Sequence, residues 1–159
     1  MIYGAIDKKS EQGYTDLKKV FDSIDNKQNE YNWLITDCEC YPSTTKTEEI
    51  MSNKYYWITG EELTGLVDKE HLQWIWAVLS GFDKSIELSE VLKYDLPYAD
   101  GYRGFWELPV TIQHPLASIE IVPWDSSLVL CISNEKDIVD KFLNNYKYSQ
   151  TIEEYINEY

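Results

Sequence analysis

The sequence predicts an α+β fold: one mixed, mostly antiparallel sheet of about five to six strands, packed by three to four helices. Strand-like and helix-like stretches follow one another without the regular alternation that a parallel sheet requires. The clearest pair of strands is a hairpin, residues 118–124 and Leu128–Ser133, joined by three polar residues. No linker or repeat divides the chain, so we expect residues 1–159 to form one domain.

Four further stretches have the composition of strands. Residues 2–6 are short and apolar, residues 33–40 alternate between two sides, and Tyr55–Thr59 is rich in aromatic and β-branched residues. Residues 72–79 are almost continuously apolar, which is typical of a strand buried on both faces, although a buried helix is the alternative for so short a run. Pro123 predicts an edge or a bulge at the outer end of the first hairpin strand, because proline donates no ladder hydrogen bond.

Helices are predicted where apolar residues recur at intervals of three and four. These stretches are residues 15–24, 59–67, 134–146 and 151–159. Thr59 and Thr151 each precede a glutamate by three residues, which is the spacing of a capping box, and Asn134 is the expected cap of the third helix. Residues 89–93 favour a single helical turn, and the polar residues 43–47 favour a loop.

The chain is strongly acidic, with 28 aspartates and glutamates against 14 lysines and arginines and a formal net charge of −14. Dividing the chain after Ser80 leaves −6 before the division and −8 after it, so the charge is spread over the whole fold. Such a surface repels phosphates, so we expect no nucleic acid partner. It attracts basic proteins and accelerates their encounter, although acidity that serves only solubility is the alternative.

The bulk composition favours a folded cytoplasmic protein. Hydrophobic residues form 43% and aromatic residues 14% of the chain, which excludes a disordered chain. The first residues lack the pattern of a signal peptide and no window approaches 18 apolar residues, so we expect neither secretion nor a membrane span. We expect Cys38, Cys40 and Cys131 to be reduced thiols, because their number is odd and the first two are too close in sequence to pair without strain.

Signatures of catalysis and of metal binding are weak. We interpret the two histidines, His71 and His114, as a polar strand-end residue and a turn residue, and the alternative is that one of them activates a cysteine nucleophile. Zinc sites usually place two to four residues between paired cysteines, whereas one separates Cys38 from Cys40 and no second pair follows. The acidic centre of residues 60–65 would repel phosphate. We therefore expect no enzyme activity, no metal and no cofactor.

Residues 95–107 are the candidate partner-binding surface. They combine acids, aromatic residues and the only arginine of the chain, and tyrosine, tryptophan and arginine are the residues most often found as hot spots of protein interfaces. The candidate contact residues are Asp95, Tyr98, Asp100, Tyr102, Arg103, Trp106 and Glu107. The alternative is a purely structural loop, in which the aromatic side chains enter the core and Arg103 pairs with Asp100 or Glu107.

Residues 115–146 read as a strand, a turn of tryptophan, aspartate and serines, a second strand and an amphipathic helix. Together with residues 57–62 (WITGEE), this stretch resembles uncharacterised small proteins of Bacillus-type bacteria and is similar to immunity proteins, which neutralise toxins in bacterial competition. Many such toxins are nucleases with basic, phosphate-binding sites, which an acidic inhibitor can occupy with carboxylates. The resemblance implies a non-enzymatic binding protein with a basic toxin domain as its partner.

Two other functions stay open at this point. The first is a small-molecule-binding or enzymatic domain with an aromatic-lined pocket, which a deep cavity with convergent polar groups would favour. Its lining would come from four tryptophans, Trp57, Trp74, Trp76 and Trp106. The second is a structural or regulatory protein whose acidity serves only solubility.

Overall fold

A computed structural model describes residues 1–8, 15–41, 45–70 and 72–159. The strands are β1 (Tyr3–Asp7), β2 (Tyr31–Tyr41), β3 (Tyr55–Thr59), β4 (Gln73–Asp83), β5 (Ile119–Trp124), β6 (Leu128–Ser133) and β7 (Ser149–Thr151). They form one sheet in the order β3-β2-β4-β5-β6-β1-β7, and every pair in the described chain is antiparallel. The α+β class is confirmed. The prediction of one mostly antiparallel sheet of about five to six strands is confirmed in outline, but the sheet has seven strands and its pairs are all antiparallel over these residues.

The described part of the chain contains six α-helices, more than the three to four predicted. They are α1 (Leu17–Ser23), α2 (Thr45–Ser52), α3 (Gly60–Lys69), α4 (Leu88–Val91), α5 (Lys136–Asn145) and α6 (Ile152–Glu158). The helix α2 replaces the end of the loop predicted at 43–47, whose first two residues lie outside the described ranges. Thr47 and Ile50 are its buried residues, and its two apolar residues, Ile50 and Met51, are adjacent in sequence and so show no helical spacing. The longest helices, α3 and α5, have ten residues, and none in the described ranges could cross a membrane.

The middle of the sheet explains the apolar runs in the sequence. Residues 73–79 of the predicted run belong to β4, a strand that pairs with β2 and β5. β5 lies between β4 and β6, but its pairing with β4 ends at Ile121. Pro123 pairs with Val129 of β6 alone, so the outer end of β5 has the local edge that was predicted there. The three-residue polar strand β7 pairs with β1 and has no apolar alternation from which it could be predicted.

The helix ends agree in part with the predicted caps. Thr151 forms the complete capping box: its hydroxyl accepts from the backbone N–H of Glu154 at 3.1 Å, and the Glu154 carboxylate accepts from its N–H at 2.9 Å. The hydroxyl of Thr59 accepts the equivalent backbone N–H of α3 at 3.1 Å. Asn134 is not the cap of α5, because this helix begins after Glu135, which makes no side-chain cap bond.

The two faces of the sheet are covered differently. The helices α1, α2, α3 and α5 pack on one face, which we call the helical face. The opposite face is covered by α6 and by residues 84–118, which contain α4 and a short 3-10 helix, Gly104–Trp106. Neighbouring residues of a strand point to opposite faces, so Leu79 packs on the helical face and Val78 on the other. The candidate surface at 95–107 therefore lies opposite the four helices.

Candidate partner-binding surface

Aromatic side chains fix the 95–107 segment on the sheet. Phe105 is buried, and its ring lies 4.7 Å from that of Tyr102 and 5.9 Å from that of Trp124 on β5. Trp124 also contacts Trp106 at 5.2 Å and Trp76 of β4 at 4.7 Å, in each case edge to face. This geometry is the favourable one for aromatic pairs, and each pair adds about 0.5–1.5 kcal/mol beyond the burial of its surface. The segment is thus held by a continuous aromatic network.

Two polar side chains bind the backbone of the same segment. The Asp37 carboxylate accepts hydrogen bonds from the backbone N–H groups of Ala99 at 2.8 Å and Asp100 at 3.3 Å. Asp37 can reach them because β2 is irregular at this point, where Asp37 has a φ of 49°. The side-chain amide of Gln113 donates to the carbonyl of Tyr98 and accepts from its N–H, both at 2.9 Å. The path of the backbone is therefore specified from two sides.

Glu120 of β5 is a buried carboxyl beneath the covering residues. One of its oxygens accepts from the backbone N–H of Gln113 at 3.0 Å, and the other has no hydrogen-bond partner among the described residues. Ser80, directly opposite on β4, is also fully buried with an unpartnered hydroxyl. Burial raises the pKa of Glu120 to about 8. Most Glu120 carboxyls are therefore protonated and neutral at pH 7.

His114 is a structural link in the same layer. Its Nε2 lies 2.9 Å from the carbonyl oxygen of Val91, and its Nδ1 accepts from the backbone N–H of Leu116 at 3.1 Å. These partners require the hydrogen on Nε2 and a neutral ring, and burial lowers the pKa of His114 accordingly. Both ring nitrogens are engaged with backbone atoms, so neither is free to activate a thiol in this arrangement. The other histidine, His71, lies outside the described residues.

The seven predicted contact residues are all at least partly exposed. Asp95, Asp100, Arg103, Glu107 and Tyr98 are exposed, while two aromatic residues, Tyr102 and Trp106, are half-buried. Within the described part of the chain, none of the four charged side chains forms an ion pair. The alternative in which Arg103 pairs with an acid of its own segment is therefore not observed. The segment has buried aromatic supports and free charged side chains at once.

The aromatic surface continues from the segment onto α6. The ring of Tyr155 lies 5.6 Å from that of Trp106 and 5.1 Å from that of Tyr159. These rings and Ile156 line a shallow groove of about 290 Å³. The groove adds apolar contact area beside the charged residues.

The four tryptophans proposed for a pocket do not gather at one place. Trp74 is buried in the core of the helical face, Trp76 packs on the opposite face, and Trp57 packs in a third cluster with Phe82. Trp74 and Trp76 lie on opposite faces of the sheet because the register between β2 and β4 shifts beside them. Only Trp76 and Trp106 belong to the aromatic network described above.

Three residues that organise this surface were not predicted: Asp37, Gln113 and Glu120. Only Glu120 carried a signal in the sequence, since it lies between two isoleucines in a strand predicted for the core. The three cysteines give no metal centre here, since no group of three or more ligating residues in the described ranges could hold a metal ion. Cys131 is fully buried on the helical face, where burial raises its pKa to about 12.

Comparison with known proteins gives one family. The family model described as "Protein of unknown function (DUF2691)" matches residues 5–96, more than half of the chain. The match runs from β1 to the residues just after α4, so it includes Asp37 and ends where the candidate surface begins. No curated protein and no solved structure matches the chain. The protein belongs to the DUF2691 family, whose function is unknown.

Proposed function

We propose that the chain is a non-enzymatic, cytoplasmic binding protein that docks its 95–107 surface on a basic protein partner. The observation that carries this proposal is the set of exposed, unpaired carboxylates, Asp95, Asp100 and Glu107, on an aromatic support. Carboxylates without an internal partner keep their full charge for an approaching basic surface.

The distribution of ion pairs supports this choice of surface. Seven lysines are engaged in ion pairs with carboxylates elsewhere: Lys8, Lys18, Lys27, Lys84, Lys93, Lys136 and Lys141. The 95–107 surface has three exposed acids and one arginine, and no ion pair among the described residues reduces this excess of negative charge. Within the described ranges, the charges of these three acids are therefore not compensated by ion pairs where the aromatic residues are presented.

The support beneath the surface favours binding as well. Association loses affinity when flexible loops must become ordered, and a segment already fixed in position avoids much of this cost. Asp37 and Gln113 fix the backbone of the segment, and the ring contacts fix its aromatic side chains. Half-exposed Trp106 and Tyr102 can receive lysine or arginine side chains by cation–π contact, worth about 0.5–2 kcal/mol each.

The partner that the resemblance implies is a basic toxin domain of the nuclease type, with this chain as its immunity protein. In such a complex the carboxylates would lie where the toxin binds phosphates. Electrostatic steering accelerates such encounters by roughly 10-fold to 1,000-fold, which suits an inhibitor that must act before a toxin reaches nucleic acid.

The test compares two variants with the same change of net charge. Asp100→Asn with Glu107→Gln removes two acids of the proposed surface, and Asp22→Asn with Asp140→Asn removes two acids of α1 and α5 on the helical face. A binding partner is first captured from cells of the source organism on the immobilised chain, and its association rate is then measured with each purified variant. We expect the first variant to associate several-fold more slowly, and added salt to reduce this difference. Equal rates for both variants, or captured partners that are not basic, would contradict the proposal.

A further inference from the structure

Cys38 and Cys40 form a contact that their spacing in a regular strand would not give. Residues two apart in a strand are separated by about 6.7 Å, near the upper end of the Cα–Cα range of disulfides. The register between β2 and β4 shifts on both sides of Glu39, and the two sulfur atoms lie 3.8 Å apart. The Cys38 thiol donates a hydrogen bond to the Cys40 sulfur. The two thiols are therefore in direct contact in the folded chain.

One of the two thiols is accessible to a small molecule. Cys38 is partly exposed and lines a groove of about 400 Å³ beside β2, whereas Cys40 is 4% exposed beneath it. Lys54, Asn53 and Tyr98 line the same groove. Its ammonium and amide groups can bind the carboxylates and amides of a peptide-like thiol compound. The groove therefore exposes the Cys38 thiol, while the Cys40 thiol is shielded from solvent.

The hydrogen bond between the two sulfurs makes the two thiols differ in acidity. It lowers the pKa of Cys40, whose thiolate it stabilises, and raises the pKa of Cys38, which gives up its hydrogen bond on ionisation. The neighbouring carboxylates of Asp37 and Glu39 raise the pKa of Cys38 further. The hydrogen bond therefore favours loss of the first proton from Cys40 and leaves the second on Cys38, from which it can pass to Cys40 along the same contact.

We propose that Cys38 and Cys40 are a redox-active dithiol, which a small disulfide such as glutathione disulfide converts to an intramolecular disulfide. The pair first loses one proton, and the remaining proton moves to Cys40. The Cys38 sulfur attacks glutathione disulfide, forms a mixed disulfide and releases one glutathione thiolate. Cys40 then loses its proton, attacks the Cys38 sulfur and releases the second thiolate. The protein loses two electrons and two protons, and glutathione disulfide becomes two molecules of glutathione.

The test uses the full chain, reduced, freed of reductant and then equilibrated with mixtures of glutathione and glutathione disulfide. Free thiols are alkylated after unfolding, and the intact mass and the linked peptides are measured. We expect wild-type protein to lose two alkylatable thiols together, with Cys38 and Cys40 in one linked peptide and no stable glutathione adduct. Cys131→Ser is the matched control, since this third thiol is fully buried, and it must still form the same linkage.

Interrupting the second step gives an independent check. We expect Cys40→Ser to accumulate glutathione on Cys38, because the resolving sulfur is missing, and circular dichroism establishes that this variant is folded. If it is unfolded, the linked peptide of the wild type alone decides. A stable glutathione adduct on the wild type would overturn the proposal. So would three alkylatable thiols at equilibrium with an excess of glutathione disulfide.

Discussion

The buried carboxyl of Glu120 gives the chain a dependence of stability on pH that can be calculated. Its pKa is raised from 4.5 to about 8 by burial. Between these values the folded chain keeps a proton that the unfolded chain has released, so the free energy of unfolding falls as the pH rises, and this contribution is constant above about pH 8. At 1.36 kcal/mol per pH unit, the interval from pH 5 to pH 8 amounts to roughly 4 kcal/mol.

The variant Glu120→Gln keeps the shape of the side chain and removes its ionisation. The amide oxygen can still accept from the backbone N–H of Gln113, but the amide nitrogen is buried near Ser80 without an established acceptor. An unsatisfied buried group costs about 1–3 kcal/mol, independently of pH. We therefore expect the variant to be less stable than the wild type at pH 5 and more stable at pH 9.

Urea unfolding at pH 5, 7 and 9, followed by tryptophan fluorescence, measures this difference. When the unfolding free energy of the variant is subtracted from that of the wild type, the contributions of the other carboxylates cancel. Glu87→Gln, which removes an exposed carboxylate at the start of α4, controls for the change of net charge. A difference between wild type and Glu120→Gln that varies by less than about 1 kcal/mol from pH 5 to pH 9 would refute the assignment of a raised pKa to Glu120.

Two further predictions concern the sheet and its covering residues. Asp37→Ala loses two charged hydrogen bonds and places alanine at a positive φ, so we expect a loss of about 2–4 kcal/mol on urea unfolding and faster hydrogen exchange at the Ala99 amide. Asp37→Asn keeps an acceptor oxygen, and asparagine tolerates this φ, so we expect it to lose less stability than Asp37→Ala. An equal loss of unfolding free energy in both variants would contradict this reasoning. In Gly81→Ala the added methyl would overlap Ile119 and crowd Trp33, so we expect a cost of about 1–3 kcal/mol. An unchanged melting temperature for Gly81→Ala would contradict this prediction, because it would mean that Ile119 and Trp33 shift to accommodate the methyl group without cost.

Local patterns were sufficient for the elements whose stability is local. The hairpin around Ser126 and the cap at Thr151 depend on residues within a few positions, and both were predicted at the correct place. Asp37 binds a backbone 62 residues away, and no local pattern indicates such a partner. The separation of Trp74 from Trp76 depends on a bulge that arises from pairing between strands. The exposure of the 95–107 segment agrees with its composition, while the groups that hold it required the tertiary structure.

The strand order has a consequence for synthesis of the protein on the ribosome. β1 is synthesised before the other strands of this sheet, and its place is between β6 and β7, which come last of the seven. It must therefore remain unpaired with these partners until more than 120 residues have followed it, with its apolar Ala5 and Ile6 exposed. At roughly 5–20 residues per second this interval lasts several seconds or longer. A nascent chain that stops before β6 offers β1 no pairing partner, so we expect it to bind chaperones or to aggregate, whereas a chain that includes β6 and β7 can form the whole sheet.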